Sequence, residues 1–468
     1  MGDGCLSGAG AGGAESGGTH VAGEQGLLSS DEQMARELSP FELDREVARV
    51  APRARAAYRA LRTGREVTLT VPEVLRDPET VERVASDQRD PIAAPLVRWL
   101  YWLELMARAL PWEGARLRSY QRERHAIDTP LSGHFTWREL LGHALRDAGR
   151  RPRLLDVLFE RGDGLRDALR RLDEVRAEWP RFAGRSRAEL ELPHAGVAAF
   201  ANGLLERSAD ALGSLPLRSL EDVLEVGLSH GADDGWPRQL SLRSLHQLLG
   251  EPDWLSGLRI DTGALPATLA PASFARGLLR LGAAWSDALA PVSQPFVVAH
   301  DAFGLSRATH GALFAGLVTS PVFLRRALGL GGSRAAVHAR ALSGSALLFT
   351  RQLALRVLLD EPALSGPSAL LEAHQELATR AFGFELPPSS AGLLFRPRPG
   401  DAQRFCGLLL AAERARVLRD EHDDDWFRNP RAIEQLRAEA RLTPNPSANQ
   451  AELERGMATL LSELSSKL

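Results

Sequence analysis

The chain is 468 residues long and 44% hydrophobic, enough to bury a sizeable core and to divide into two to four domains. Its 57 basic and 60 acidic residues leave a formal charge of −3, which argues against nucleic acid or an acidic membrane surface as a partner. Lysine occurs once, as Lys467, so Schiff-base chemistry has no candidate in the body of the chain, and two cysteines, Cys5 and Cys406, cannot build a disulfide framework.

In chain order, residues 1–38 come first, with ten glycines in the first 26 positions, and are read as a disordered Gly/Ser-rich leader. They carry neither the basic start nor the apolar run of an export signal, and no stretch elsewhere reaches the length of a membrane span. A cytoplasmic protein is therefore expected. From Pro40 onwards, apolar residues recur at three- and four-residue spacing over 43–61, 93–110, 137–158 and 161–179, which predicts helices, the last punctuated at Gly164 or Pro180. Strands are predicted only at 67–71 (V-T-L-T-V) and 296–299. Ser219 and Asp222 have the spacing of a capping box, with Ser241 and Ser273 as weaker versions. A helix is predicted over 272–289, ended by Pro291, with Phe274, Leu278, Leu281 and Trp285 as its buried stripe. The expected fold class is all-α with few short strands, divided into an N-terminal helical lobe (39–215) and a second helical lobe (216–468).

Within that predicted helix the chain reads F-A-R-G-L-L-R-L-G-A-A-W from Phe274 to Trp285. Aligned on Gly282, this has the outline of Y-x-x-L-x-H-E-x-G-H-A, with Leu279 and Ala283 where histidines would stand and Arg280 where a glutamate would stand. The segment A-T-H-G-A-L-F at 308–314 is similar to T-E-G-F-A-x-L-F, with His310 at the glutamate position. F-L-R-R-A-L-G (323–329), L-F-T-R-Q-L-A-L-R-V-L-L (348–359) and D-W-F-R-N-P (425–430) follow in matching order. Over roughly 270–440 the chain thus resembles the gluzincin metallopeptidases of the thimet oligopeptidase and oligoendopeptidase type, as a degenerate member without the H-E-x-x-H motif. That resemblance implies a large helical zincin-like fold, with a lid half and a former catalytic half around a central cleft.

The family's chemistry needs two imidazoles four residues apart to bind zinc, a later carboxylate to close the site, and a glutamate to activate the metal-bound water. Leucine and alanine offer no lone pair, and an arginine cannot act as the base. The family's late tyrosine is missing too, since the three tyrosines are Tyr58, Tyr101 and Tyr120. The resemblance therefore implies a catalytically inactive homologue with no cofactor. It would act as a binding or scaffold protein, holding a peptide or anionic partner along Arg276, Arg280, Trp285, His300 and His310. Against this stands the plainer reading that Arg276 and Arg280 pair with acids of a neighbouring helix. The alternative function is a zinc-dependent oligopeptidase whose metal sits among His300, Asp301, His310 and His338, a set that matches no standard ligand spacing.

Other motifs carry less. Arg161-Gly162-Asp163 is expected to be a turn between helices, 420–425 (D-E-H-D-D-D) an acidic helix boundary, and 230–234 a loop. The glycines of 328–333 lack a phosphate loop's lysine, and there is no G-x-S-x-G elbow.

Overall fold

Prolines at first turns and glycines at last ones set the limits of many helices in the computed structural model. It describes residues 38–468 apart from 63–67, 88, 130, 148, 192–195, 229–234, 238–239, 242–264, 266–267, 389, 394 and 443–448. The helices that position the site are α1 (Pro40–Arg62), α2 (Ala93–Arg122), α3 (Val197–Arg207), α4 (Pro271–Leu289) and the single turn α5 (Phe296–Ala299). They continue with α6 (Leu305–Gly316), α7 (Pro321–Leu328), α8 (Gly332–Leu358), α9 (Pro367–Phe382), α10 (Asp401–His422), α11 (Pro430–Leu442) and α12 (Gln450–Ser465). Among the described residues the strands form only two short antiparallel pairs, β1 (Arg124–Ile127) with β2 (Gly133–Thr136), and β3 (Arg181–Phe182) with β4 (Arg185–Ser186). The fold is all-α, as expected.

Several local expectations need correction. The apolar run 296–299 is the helical turn α5, because the Asp44 carboxylate on α1 accepts the amides of Phe296 (3.0 Å) and Val297 (2.8 Å) and so caps it. Residues 68–71 pair with no strand, and Val67 lies outside the described residues. The helix expected over 137–158 is broken into Trp137–Arg146 and Arg151–Glu160, with Asp147 accepting the Arg150 amide between them. The one expected over 161–179 divides at Leu169 and Arg170, not at Gly164. Gly164 lies inside the helix Gly162–Ala168, pressed against the Tyr120 ring, where a Cβ would come within 2.6 Å. Ser273 is not a cap: it sits in the first turn of α4, its hydroxyl donating to Ala270, and Pro271 opens the helix. Ser241 bridges Thr268. The Ser219 and Asp222 box forms, and the D-W-F-R-N-P segment is a tight turn leading into α11, which α12 then follows.

Among the described residues, beside a small cluster of Ala211, Leu347 and Leu464, two large apolar cores result. The larger one gathers α1, α2, α3, α9 and parts of α8, α10 and α12, and so mixes residues from both sides of the boundary expected near 215. The smaller one is built on Phe274, Trp285, Phe314, Phe323, Trp426 and Phe427. It joins α7, α11 and the turn before α11 to α4 and α6, the first two members of a layer in which α4, α6, α10 and α12 stack in that order.

The contacts in that layer are set by glycine. A Cβ on Gly282 would stand 2.2 Å from the His310 carbonyl oxygen, one on Gly311 2.8 Å from that of Leu279, and one on Gly456 2.1 Å from that of Leu409. Gly407 lies as close to Ala308 and Thr309. No larger residue fits there, and the reward is backbone-to-backbone packing with many dispersion contacts and no voids.

Arg351, 1% exposed on α8, has no carboxylate among its bonded partners. Its guanidinium donates to the carbonyls of Leu205, Arg380 and Ala381 and to the Ser208 hydroxyl. Those carbonyls belong to the last turns of α3 and α9, whose partial negative charge favours a cation. Burial pushes its pKa down to about 10, so it stays charged at neutral pH.

Candidate functional site

Helix α4 places the residues singled out by sequence on two opposite faces. Phe274, Leu278, Leu281 and Trp285 are buried, while Arg276, Leu279, Arg280 and Ala283 share the outward side at three- and four-residue spacing. Leu279 is 37% exposed. Arg276 is exposed, and its Nε donates to the Ala272 carbonyl at 3.4 Å. The part of its side chain that packs on the protein loses water, and this together with the like charge of Arg280 one turn away lowers its pKa.

Trp285 does not line an open groove. It is 1% exposed, with its ring packed edgewise on His310 (5.2 Å, 70°) and Phe314 (5.6 Å, 69°). His310 in turn is fastened inward on α6. Its Nδ1 donates to the Ser306 carbonyl at 3.1 Å, which fixes the neutral tautomer, and burial pushes its pKa down to about 4.

The other three groups of the alternative metal set are engaged separately. The His300 carbonyl accepts the indole of Trp99 (2.7 Å), its ring lies 4.5 Å from that of Phe296, and its Nδ1 faces Asp287 at 3.9 Å. Asp301 accepts the Leu305 amide at the start of α6 (3.0 Å) and pairs with Arg98 (2.9 Å). His338 is buried edgewise against Trp236 at 5.3 Å. Among the described residues, no group of three or more His, Cys, Asp or Glu side chains is arranged to hold a metal ion.

What the sequence did not reveal is a small polar recess beside the inward face of α4. Arg55, Ser286, Asp287, His300, Ser306 and Arg307 line it, and its volume of about 10 Å³ is room for about one water molecule. Arg307 pairs with Asp287, and the hydroxyls of Ser286 and Ser306 lie 2.8 Å apart. Arg55 donates to the Asp301 carbonyl (2.5 Å) and lies 4.7 Å over the Trp99 ring, and burial pushes its pKa down to about 10. Ser306 comes within 3.5 Å of His310 Nδ1, but that nitrogen's proton is given to the Ser306 carbonyl, so it cannot serve as a base for the hydroxyl. No one signal could have found this recess, since its residues come from α1, α4, α5 and α6.

The remaining motifs are structural. Of the expected turn Arg161-Gly162-Asp163 only Arg161 lies between helices, since Gly162 and Asp163 open the next helix; 420–425 spans the end of α10 and its turn, and Gly329 ends α7 with φ 67°. The stretch 230–234 lies outside the described residues. Among the described residues no single helix is long and apolar enough to cross a membrane. No family model, no curated protein and no solved structure matches the chain.

Proposed function

We propose that this chain is a non-catalytic binding or scaffold protein, a peptidase homologue without peptidase chemistry, that holds an acidic peptide along the outward face of α4. One observation carries the reading: Arg276 and Arg280 lie one turn apart on the outward face of α4, flanking Leu279, which is 37% exposed. Two guanidinium groups one turn apart concentrate positive charge on that face, which favours a carboxylate-bearing partner, and an exposed leucine offers an apolar contact between them. His310 Nδ1 is taken by the Ser306 carbonyl and its ring packs on Trp285, which supports a packing role for this side chain. The cytoplasm is the proposed setting, supported by Cys406, which is buried with its thiol pushed up to about 12 and forms no disulfide.

The test is fluorescence anisotropy with labelled acidic and basic peptides, on the wild type and on the double variant Arg276→Glu with Arg280→Glu. The acidic peptide is expected to bind the wild type, and the variant to weaken it about tenfold or more, equivalent to at least about 1.4 kcal/mol. Equal binding of both peptides, or no change in the variant, would remove this reading. Metal analysis addresses the competing one: about one equivalent of zinc in the purified protein, lost in His310→Ala, would establish an unconventional metallopeptidase in its place.

A further inference from the structure

Beneath α2, four carboxylates and three guanidiniums meet beside the larger core. Arg176, 2% exposed on the helix Arg171–Glu178, pairs with Glu191 and with Asp360 (3.0 Å). The Tyr101 hydroxyl donates to Glu191, and Arg187 lies 3.5 Å from Asp360. Next to this group, Arg396 donates to Asp173 (2.9 Å) and stands 3.6 Å from Glu113 of α2, which is 1% exposed. Glu113 also accepts the Leu172 amide at 2.8 Å.

We propose that the joint formed by Glu113, Asp173 and Arg396 keeps one proton on Glu113 in the folded protein and gives it up on opening, making it a pH-sensitive brace between α2 and the stretch around Arg396. The charge count supports this, since Glu113, Asp173, Glu191 and Asp360 exceed Arg176, Arg187 and Arg396 by one, and Arg187 is shared with Glu361. A buried excess charge is costly, and the group that neutralises is the one with the weakest pairing. Glu113 is that group: Arg396 lies closer to Asp173, while Glu191 and Asp360 both contact Arg176 directly. Its other neighbours are Asp173 and Glu174, both acidic; Tyr58 acts on Arg396 from α1. Burial pushes Glu113 up to about 7, against the opposing pull of Arg396 and the Leu172 amide. The sign follows. A carboxyl whose folded pKa lies above its unfolded value, about 4.3, stabilises fully below that value and loses the contribution as pH rises through 7.

Glu113→Gln imitates the protonated acid and keeps an acceptor for Leu172. Urea midpoints of the wild type are expected to fall relative to this variant between pH 5.5 and 8.5, and unfolding at pH 6 is expected to release about one proton more from the wild type. A constant difference across pH, or equal proton release, overturns the proposal. If Glu113→Gln does not fold, the wild type alone suffices: its infrared spectrum in D2O near pD 6 should show a protonated carboxyl band that disappears above neutrality, and absence of that band at pD 6 overturns the proposal.

Discussion

The layer of α4, α6, α10 and α12 and the ionic joint under α2 are both tightly buried, yet they hold their helices by opposite means. In the layer, Gly282, Gly311, Gly407 and Gly456 let backbones touch, and the attraction is dispersion and apolar burial. Under α2, helices meet through Arg176, Arg396 and the acids around them, so geometry is set by hydrogen-bond direction. The first kind of contact tolerates no added volume. The second tolerates no lost partner, and it responds to pH.

The sharpest way to break this contrast is to add volume in the layer. Gly282→Val and Gly456→Val would each force backbone atoms apart, and a loss of about 3 kcal/mol or more is expected by urea denaturation. In the same assay Gly203→Ala, at a helical site with nothing within 4 Å, should gain about 0.5 kcal/mol or slightly more. A harmless Gly282→Val would show that the layer is looser than its backbone contacts indicate.

The corresponding cut in the ionic region is Arg176→Met, which leaves Glu191 buried without its cation and Asp360 with Arg187 alone. A loss of about 3 kcal/mol is expected, scarcely changed by salt because the group is screened from solvent. Acid should affect the molecule differently from base. His374, fully buried against Phe395, has its pKa pushed down by burial to about 4, so its contribution is present above its unfolded value near 6.5 and lost as pH falls towards 4. Between pH 6.5 and 4.5, His374→Gln is therefore expected to lose about 2 kcal/mol less than the wild type. Among the losses the smallest is that of Asn449→Ala, which removes the capping box at the start of α12 and should cost about 1 kcal/mol, a local effect that leaves both regions intact.

Much of this architecture is legible in the amino-acid order, because periodic apolar residues and flanking prolines are local signals. Helix α4 begins and ends within a residue of its expected limits, and α1 begins three residues early. Where the reading failed, the deciding partner was distant. Nothing near Phe296 announces that Asp44, 252 positions earlier, will cap it into a helical turn. The spacing of Trp285 fits both a buried stripe and a cleft position, and what decides for burial is its contact with Phe314 and His310 of the next helix. The recess around Arg55 and Asp287, and the proton on Glu113, depend on groups that only folding brings together.

Arg351 acts as a caliper. Its acceptors are carbonyls at the ends of α3 and α9, and Leu205 is 146 positions away in sequence. One residue inserted into either helix would turn its last carbonyls by about 100° and carry them out of reach. The tolerance of these two helices to insertion and deletion is thus governed by a side chain in a third, and natural or engineered length changes should collect in the connecting turns instead.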